Sequence, residues 1–224
     1  MSVEPRTPLS RERVLRAAIA LADERGIESL SMRKLGQELG VEAMSLYNHV
    51  ANKEEILNGM VDVVVSEIND AVSAADAPFG DWTTAMRRRI LSAREILLRH
   101  PWAPGVIESR TNMSMPMLGY FDSVIGLLRD AGFSIDQTHH ALHVLGSRIL
   151  GFTQELYEDS DEPDPEAMAI FIQQMAGTYP HLTEMAKQIS HDEATTLRGC
   201  DDQVEFEFAL DLMLDGLERL RDPA

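Results

Sequence analysis

The sequence is poor in cysteine: Cys200 is the single cysteine among 224 residues. A lone cysteine excludes an intrachain disulfide, and with it the class of small disulfide-stabilised proteins. We interpret Cys200 as a packed or partly exposed thiol. The alternative is a redox-sensing thiol, for which no activating environment is evident in the sequence.

Long apolar runs and strand signals are also absent. Asp62 and Glu67 interrupt the best candidate for a membrane span, so no segment approaches the roughly 20 residues that a spanning helix needs. The N-terminal sequence MSVEPRTPLS is polar and unlike a secretory leader, which predicts a cytoplasmic protein. Helical periodicity recurs in almost every segment, and a hydrophobic content of 44% suffices for a buried core. The expected fold class is all-α.

The residue patterns of common catalytic centres are missing as well. There is no Ser/His/Asp or Cys/His arrangement, P-loop or dinucleotide-binding fingerprint, so we expect neither an enzyme nor a bound cofactor. The best metal candidate is the pair His139 and His143, which share a helix face, with His140 beside them. We favour a role of these histidines in a ligand pocket or in dimer contacts over a metal site.

The formal charge of −17 is distributed unevenly along the chain. Residues 1–60 contain 8 Lys and Arg against 9 Asp and Glu, whereas the remainder contains 12 against 28. The later part should therefore repel nucleic-acid phosphates, and any DNA contact should fall to the N-terminal part. A near-neutral N-terminal module also predicts modest non-specific DNA affinity, because few counterions are displaced.

Residues 31–53, SMRKLGQELGVEAMSLYNHVANK, carry the most informative pattern. Helical periodicity predicts a helix over Met32–Leu39, a tight turn, and a second helix over Ala43–His49. Gly40 suits the left-handed conformation that ends a helix, and Gly36 allows the second helix to cross the first closely. The apolar residues expected to form one small core are Leu35, Leu39, Val41, Leu46 and Val50.

Two such helices joined by a glycine turn are typical of a helix-turn-helix, whose second helix enters the major groove of DNA. The residues predicted to contact base edges lie on the outer face of the second helix: Ala43, Met44, Ser45 and Asn48. The residues predicted to contact phosphates surround them: Arg33, Tyr47, His49 and Lys53. The alternative is an ordinary helical hairpin with a solvated outer face, but an outward Tyr and Met on so short a helix favour recognition.

The rest of the chain is predicted to form a series of amphipathic helices. A first helix begins after Ser10, ends at Gly26 and completes a three-helix DNA-binding domain, residues 1–55. A long helix from Lys53 to about Ala75 leads into a ligand-binding and dimerisation domain, residues 56–224, and is a natural lever between the two. The later predicted helices are Asp81–Arg99, Pro116–Ala131, Asp136–Glu158, Pro165–Tyr179, Leu182–Ile189 and Asp202–Arg221, with an irregular stretch from His100 to Met115.

Two of these helices carry apolar residues in alternating steps of three and four, the spacing of helices that pack against partner helices. They are Leu142, Leu145, Ile149, Phe152 and Leu156 in one, and Phe206, Leu210, Met213, Leu217 and Leu220 in the other. We predict a four-helix bundle between two subunits, and hence a homodimer, which also suits a short recognition helix that reads few bases. The alternative is that both are core helices of one subunit.

The N-terminal pattern resembles the TetR family of bacterial transcriptional regulators. The resemblance is strongest over Leu9–Met60 and is carried by RAAIALADERGIESLSMRKLGQELGVEAMSLYNHVANKEEIL. Its signature elements are Gly26, the runs S-M-R-K-L, L-G-V and L-Y-x-H-V, and the Asn52-Lys53 pair. A weaker similarity to the tetracycline-repressor type of C-terminal domain runs through HPW at 100–102 and through parts of 127–155.

The resemblance implies a homodimeric repressor that binds a palindromic operator and is released by a small-molecule effector in the C-terminal domain. It implies DNA contacts by Arg33 and Ser45, and phosphate contacts by Tyr47, His49 and Lys53. In the family, the effector swings the long helix and spreads the two heads, so it must bind the spread state more tightly. The tetracycline-binding member uses a His for its magnesium-chelated ligand; the matching segment here, APGVIESRTN, has none, which argues against that ligand.

Candidates for the effector pocket are His100, Trp102, Arg110 and His139. A competing hypothesis from another class is a helical ligand-binding or enzymatic bundle whose head no longer binds DNA. The intact set of outward polar residues on the helix-turn-helix favours DNA binding.

Overall fold

The computed structural model describes residues 8–75, 81–151, 169–170, 173–174, 176–189 and 202–221. Within them no strand is present, which confirms the all-α prediction. The α-helices are α1 (Arg11–Arg25), α2 (Met32–Leu39), α3 (Ala43–Leu46), α4 (Lys53–Ala75), α5 (Trp82–Arg99), α6 (Ala103–Glu108), α7 (Met115–Asp130), α8 (Ile135–Leu145), α9 (Pro180–Ile189) and α10 (Asp202–Leu220). Two 3₁₀ helices occupy Ile27–Ser29 and Gly146–Leu150. Cys200, Phe152 and Leu156 lie outside the described residues, as do residues 165–168, 171–172 and 175 of the helix predicted over Pro165–Tyr179.

The chain forms two compact units, residues 1–152 with 213–224, and residues 153–212. The first unit contains α1–α8 and the end of α10, and everything described below as a site lies within it. In this unit we call α1–α3 the head and α5–α8 the body. The predicted domain boundary between residues 55 and 56 stays a prediction. No helix in the described part of the chain is long and apolar enough to cross a membrane.

Helix α1 forms where it was predicted because both of its ends are capped. The Ser10 hydroxyl accepts a hydrogen bond from the Arg13 backbone N–H at 3.2 Å, and the chain leaves the helix at Gly26 with a φ of 75°. One face of α1 packs against α2 and α4. Its buried residues are Val14, Leu15, Ala18, Ile19, Leu21 and Ala22.

Helix α4 has the predicted range and connects the head to the body. It contacts α1 on one side and α5, α6 and α7 on the other. Its fully or almost fully buried residues are Ile56, Met60, Val61, Val64, Val65, Ile68 and Val72. At Gly59 the α4 backbone is so close to α1 that an added Cβ would lie 2.7 Å from Cδ2 of Leu15. The first part of α4 is therefore packed directly against the head.

The body is held together by buried aromatic side chains. Trp82, at the start of α5, packs edge-on against Phe133 with ring centroids 4.9 Å apart, and its indole N–H donates to the Glu218 carboxylate on α10. Tyr120 of α7 is fully buried, and its hydroxyl donates to the Ile149 carbonyl. Burial raises the pKa of the Tyr120 hydroxyl, so this group stays protonated as a donor.

The prediction of one helix over Asp136–Glu158 was wrong at its C-terminal end. Helix α8 stops before Gly146, which takes φ 44° and ψ −123°, far from helical values. A 3₁₀ helix follows, and Gly151 then passes so close to α5 that an added Cβ would lie 2.4 Å from the Cα of Arg94. In the sequence the apolar spacing continues past Gly146, but the α-helical backbone ends before this residue, because glycine there favours a turn.

The stretch from His100 to Met115, predicted to be irregular, contains the short helix α6 over Ala103–Glu108. Pro104 lies in its first turn, where the missing N–H costs nothing. The prediction of irregular structure was therefore wrong for these six residues, which pack against α4.

The two predicted seams are largely buried in the chain itself. Leu145 and Ile149 are 1% exposed, and Phe206, Leu210 and Leu217 are 0–3% exposed. The apolar side chains that α8 and α10 expose are Ile135 and Val144 on the former, and Val204, Phe208, Leu212 and Leu220 on the latter. Of these exposed residues, only Leu220 belongs to the predicted seams.

Candidate DNA-binding site and effector cavity

Two short helices and the turn between them form the candidate DNA-binding site. The Ser31 hydroxyl caps α2 by accepting a hydrogen bond from the Lys34 N–H at 3.3 Å. Helix α2 ends at Gly40, which is left-handed with φ 66° and ψ 34°. The Val41 N–H then donates to the Gly36 carbonyl at 2.9 Å and closes the turn. These contacts confirm the predicted start and end of the first helix.

Helix α3 meets α2 at Gly36. A Cβ added at Gly36 would lie 2.9 Å from the carbonyl oxygen of Val41 and 3.2 Å from the nitrogen of Ala43. Both are backbone atoms, which a change of side-chain rotamer cannot move away. The close crossing predicted at this glycine is therefore confirmed, and it fixes where α3 starts.

The side chains predicted to form the small core are buried to different degrees. Leu35 and Leu46 are 0% exposed, and Val50 is 2% exposed. Leu39 and Val41, next to the turn, are half-buried. Leu46, the buried residue of α3, marks the inner face of this helix and leaves the opposite face to solvent.

Helix α3 is shorter than predicted, since it covers Ala43–Leu46 and not Ala43–His49. The Tyr47 N–H donates to the Met44 carbonyl at 3.3 Å, a bond between residues three apart. Such bonds tighten the last turn toward 3₁₀ geometry, which sequence periodicity does not distinguish from an α-helical turn. The polar residues after Leu46 therefore lie on a turn rather than on the helix.

The outer face presents the residues predicted to contact base edges. Met44 is 75% exposed, and Tyr47, predicted to contact phosphate, is 46% exposed. Asn48 is exposed, whereas Ala43 and Ser45 are half-buried. Large apolar side chains held out in solvent on a rigid element are a common feature of surfaces that contact another molecule.

The remaining residues predicted to contact phosphates lie around this face. Arg33 is exposed on α2, and Lys53 is exposed at the start of α4. His49 is half-buried on the turn that follows α3. The four predicted phosphate contacts thus come from α2, the turn after α3 and the first residue of α4.

The start of α4 is fixed by a reciprocal cap. The Asn52 side-chain oxygen accepts a hydrogen bond from the Glu55 N–H at 2.8 Å, and the Glu55 carboxylate accepts one from the Ala51 N–H at 2.6 Å. Arg11 of α1 lies 3.6 Å from the same carboxylate. The cap orders the backbone that carries Lys53 and ties it to α1.

A second set of contacts joins the head to the body. Asp23, near the end of α1, accepts hydrogen bonds from Nδ1 of His100 at 2.9 Å and from the indole N–H of Trp102 at 2.6 Å. The other ring nitrogen of His100 lies 3.7 Å from Glu67 on α4. Trp102 is 6% exposed, so its N–H depends on Asp23 for a partner. His100 and Trp102, predicted as pocket residues, lie at this junction.

A cavity of about 230 Å³ lies in the body beside the end of α6 and the start of α7. Its lining residues are Ile107, Arg110, Thr111, Asn112, Met113, Ser114, Met117, Phe121 and Leu150. Arg110 is among them, whereas His100, Trp102 and His139 are not. Mostly apolar walls with a few polar groups are typical of small-molecule sites.

The three histidines of α8 are exposed side by side. The rings of His139 and His143 have centroids 4.6 Å apart, and His140 lies 3.7 Å from Asp136. Among the described residues, no group of three His, Cys, Asp or Glu side chains is arranged to hold a metal ion.

Comparison with known proteins identifies the family. Residues 14–60 match the family of bacterial regulatory proteins named tetR, and residues 74–221 match the tetracyclin repressor-like C-terminal domain. The chain belongs to the TetR family. It is thus a transcriptional regulator with a DNA-binding helix-turn-helix and a ligand-binding C-terminal domain of the tetracycline-repressor type, as the resemblance over Leu9–Met60 indicated.

TetR-family relatives match nearly the whole chain. The HTH-type transcriptional repressor DrrR1 of Streptomyces coeruleorubidus is 29% identical, over 96% of this chain and 80% of DrrR1. The class C tetracycline repressor protein of Escherichia coli is 28% identical, over 95% of this chain and 92% of that protein. A solved structure, a possible TetR family transcriptional regulator from Streptomyces coelicolor A3(2), has a TM-score of 0.74 at 31% identity and covers 95% of this chain and 100% of its own.

Sequence reasoning missed two parts of this TetR-type arrangement. Asp23 pairs with residues 77 and 79 positions away, and an aspartate late in an amphipathic helix gives no local signal of such a contact. Ser114 and Met117 become cavity residues only because α7 starts beside the end of α6. Pro104, a residue common in the first turn of a helix, was the signal that could have located α6 beside the cavity.

Proposed function

We propose that this TetR-family protein is a homodimeric repressor, which binds a palindromic operator through α3 and leaves it when a small-molecule effector binds in the body. The outer face of α3 and of the turn after it carries the proposal: Met44 and Tyr47 are exposed although Leu46 between them is fully buried. A helix anchored on one side, with small polar and apolar groups on the other, meets the needs of base recognition. Acting on operator DNA, the protein would be cytoplasmic.

The base contacts follow from the chemistry of four side chains. The Ser45 hydroxyl can donate or accept a hydrogen bond, and the Asn48 amide can bind adenine with two. Ala43 and Met44 offer apolar contact to the methyl group of thymine. Ala43, Met44 and Ser45 lie in the first turn of α3, the end of a recognition helix that points to the bases, and Asn48 lies on the turn that follows α3.

The phosphate contacts are assigned to the margin of the same face. Arg33 and Lys53 supply positive charge, and Tyr47 and His49 supply hydrogen-bond donors. Lys53 follows directly on the capped turn at Asn52, so its backbone is held in place before DNA arrives. With few cations in the head, a modest salt dependence of binding is expected.

Dimerisation is supported by the exposed apolar side chains of the later helices. Leu220 is 66% exposed at the end of α10, and Ile135 and Val144 are 76% and 48% exposed on α8. A second copy of the chain would cover such residues and would place two recognition helices on two half-sites. A two-fold protein dimer requires an operator with matching two-fold symmetry.

The cavity beside α6 and α7 is the proposed effector site, because it lies next to the helix that carries the head. Arg110 on its wall donates a hydrogen bond from Nη1 to the Asn58 carbonyl of α4 at 3.2 Å. Asp23 ties the head to His100 and Trp102, just before α6. An effector that shifts the end of α6 therefore has two paths to the head, through α4 and through α1.

The experiment is a fluorescence-anisotropy titration with DNA from upstream of the protein's own gene, using wild type, Tyr47→Ala and a matched control, Tyr179→Ala. Tyr179 is 54% exposed, close to the 46% of Tyr47, but lies outside the head. We expect Tyr47→Ala to weaken binding about tenfold, with thermal stability unchanged, and Tyr179→Ala to bind normally. Normal binding by Tyr47→Ala, or an unfolded head in that variant, would contradict the assignment.

A further inference from the structure

The cavity beside α6 and α7 has a single charged side chain, Arg110, among its lining residues. We propose that the effector is an aromatic or otherwise apolar acid, whose anionic group binds Arg110 and thereby removes Arg110 from α4. The inference rests on the proposed function for the location of the effector. It adds the chemical class of the ligand and the contact that the ligand breaks.

Arg110 connects the cavity wall to α4. Its Nη1 lies 3.2 Å from the Asn58 carbonyl oxygen and 3.7 Å from Oδ1 of Asp62, one turn further along α4. The Arg110 side chain is only 16% exposed, so its charge is held in the body rather than in bulk solvent. A guanidinium has five N–H donors in a planar fork, and both contacts with α4 use the same nitrogen. The remaining donors of the fork can therefore meet a ligand carboxylate first, before the side chain turns and Nη1 leaves α4.

The contact between Arg110 and Asp62 is suited to replacement. At 3.7 Å the pair is an ion pair without a hydrogen bond, and Oδ1 of Asp62 has no hydrogen-bond partner among the described residues. A ligand carboxylate that binds the guanidinium directly forms shorter, charge-assisted hydrogen bonds. The side chain of Asp62 is 36% exposed, so water can solvate its carboxylate once Arg110 has turned away.

A second unpartnered polar atom, besides Oδ1 of Asp62, lies on a residue of the cavity wall. The Oγ of Ser114 is buried and makes no hydrogen bond among the described residues, although Ser114 lines the cavity. A buried hydroxyl without a partner costs free energy, which a ligand oxygen near it would recover. We assign Arg110 and Ser114 as polar anchors on a wall that also contains Thr111 and Asn112. Phe121, Met117 and Leu150 form an apolar part of the wall that suits a flat hydrocarbon body.

The volume sets the size of the ligand. An engineered apolar cavity of about 150 Å³ binds benzene, so about 230 Å³ accommodates a body of about two fused rings. The net negative charge of the later part of the chain repels anions at long range, but salt screens this within about 10 Å at 0.1 M. The preference for an acid must therefore come from Arg110 itself.

The test is isothermal titration calorimetry with 2-naphthoate and its neutral isostere 2-naphthamide, on wild type, Arg110→Gln and Arg110→Lys. We expect wild type to bind the acid at least about tenfold more tightly than the amide, since hydrogen bonds to a charged group are the strong ones. Arg110→Gln should lose this preference, and Arg110→Lys should keep part of it. Equal affinities in wild type, no binding of either probe, or a preference that survives in Arg110→Gln would overturn the proposal.

The exchange between ligand and α4 has its own test in Asp62→Asn, with Glu108→Gln as the matched control. Both variants remove one negative charge, but exposed Glu108 is not an ion-pair partner of Arg110. If Asp62 competes with the ligand for Arg110, Asp62→Asn should raise 2-naphthoate affinity several-fold more than Glu108→Gln does, and leave 2-naphthamide unchanged. Equal effects of the two variants would overturn the exchange. These titrations contain no DNA, so a failure of operator binding would be seen separately from them.

Discussion

Gly36→Ala tests whether the crossing of α2 and α3 sets the position of the recognition surface. The added Cβ would lie 2.9 Å from the Val41 oxygen, 3.2 Å from the Ala43 nitrogen and 3.3 Å from the Ala43 Cα. All three are backbone atoms of the turn and of α3, so α3 itself must shift by several tenths of an ångström. Because DNA contacts must be held to within about 0.5 Å, we expect operator affinity to fall about tenfold or more.

The effect on stability combines two opposing contributions. Alanine in a helix is favoured over glycine by about 1 kcal/mol, whereas overpacking of this kind costs about 1–3 kcal/mol. Gly126→Ala in α7 is the matched control, because an added Cβ there has no atom within 4 Å. The free energy of unfolding of Gly126→Ala should rise by about 0.5–1 kcal/mol, and this variant should retain operator binding. The difference in free energy of unfolding between the two variants gives the cost of overpacking at the crossing of α2 and α3, which we expect to be about 1–3 kcal/mol.

Both variants are compared by urea unfolding at one protein concentration, since dimerisation makes apparent stability depend on concentration. Operator affinity is measured by anisotropy on the same samples. If Gly36→Ala is stabilised as much as Gly126→Ala and binds the operator normally, the close approach of α3 to α2 does not exist, and the reasoning fails.

Three further predictions concern the contacts that hold the head and the body. Asp23→Ala should lower the free energy of unfolding by about 1–3 kcal/mol in urea titrations, because the buried Trp102 N–H loses its partner, and Asp23→Asn should lose less. Asn52→Ala should lower the free energy of unfolding by about 1 kcal/mol, because the cap of α4 is removed. It should also weaken operator binding in anisotropy titrations. Burial raises the pKa of Tyr120 in the folded protein. The protonated hydroxyl therefore contributes to stability below the unfolded-state pKa of about 10, and this contribution is lost as the pH rises above that value. In alkali, the urea midpoint of unfolding should fall less steeply with pH in Tyr120→Phe than in wild type.

Local signals were sufficient to predict most of the head. Ser10, Ser31 and Gly40 are capping residues whose effect depends only on their neighbours along the chain, and α1, α2 and α4 begin and end as predicted. The length of α3 was overestimated because an α-helical turn and a 3₁₀ turn present similar sequence periodicity over so few residues.

The body was harder to predict, because its features depend on contacts between distant segments. The predicted seam through Leu145 and Ile149 has the spacing of a helix–helix interface, yet Gly146 breaks the helix and both side chains are buried within the chain. The cavity depends on how α6 and α7 approach α4, and Arg110 is on its wall without any local motif. The roles assigned to the DNA-contacting residues remain predictions for mutagenesis.

The most direct test of the central claim is hydroxyl-radical footprinting of the purified protein on DNA from upstream of its own gene, with wild type and the double variant Ser45→Ala/Asn48→Ala. We expect two protected half-sites related by two-fold symmetry, with centres separated by about 10 base pairs or a multiple of that distance. The double variant should lose this protection while keeping its fold. Absence of protection by wild type, or a footprint unchanged in the double variant, would contradict the claim that the outer face of α3 reads operator DNA.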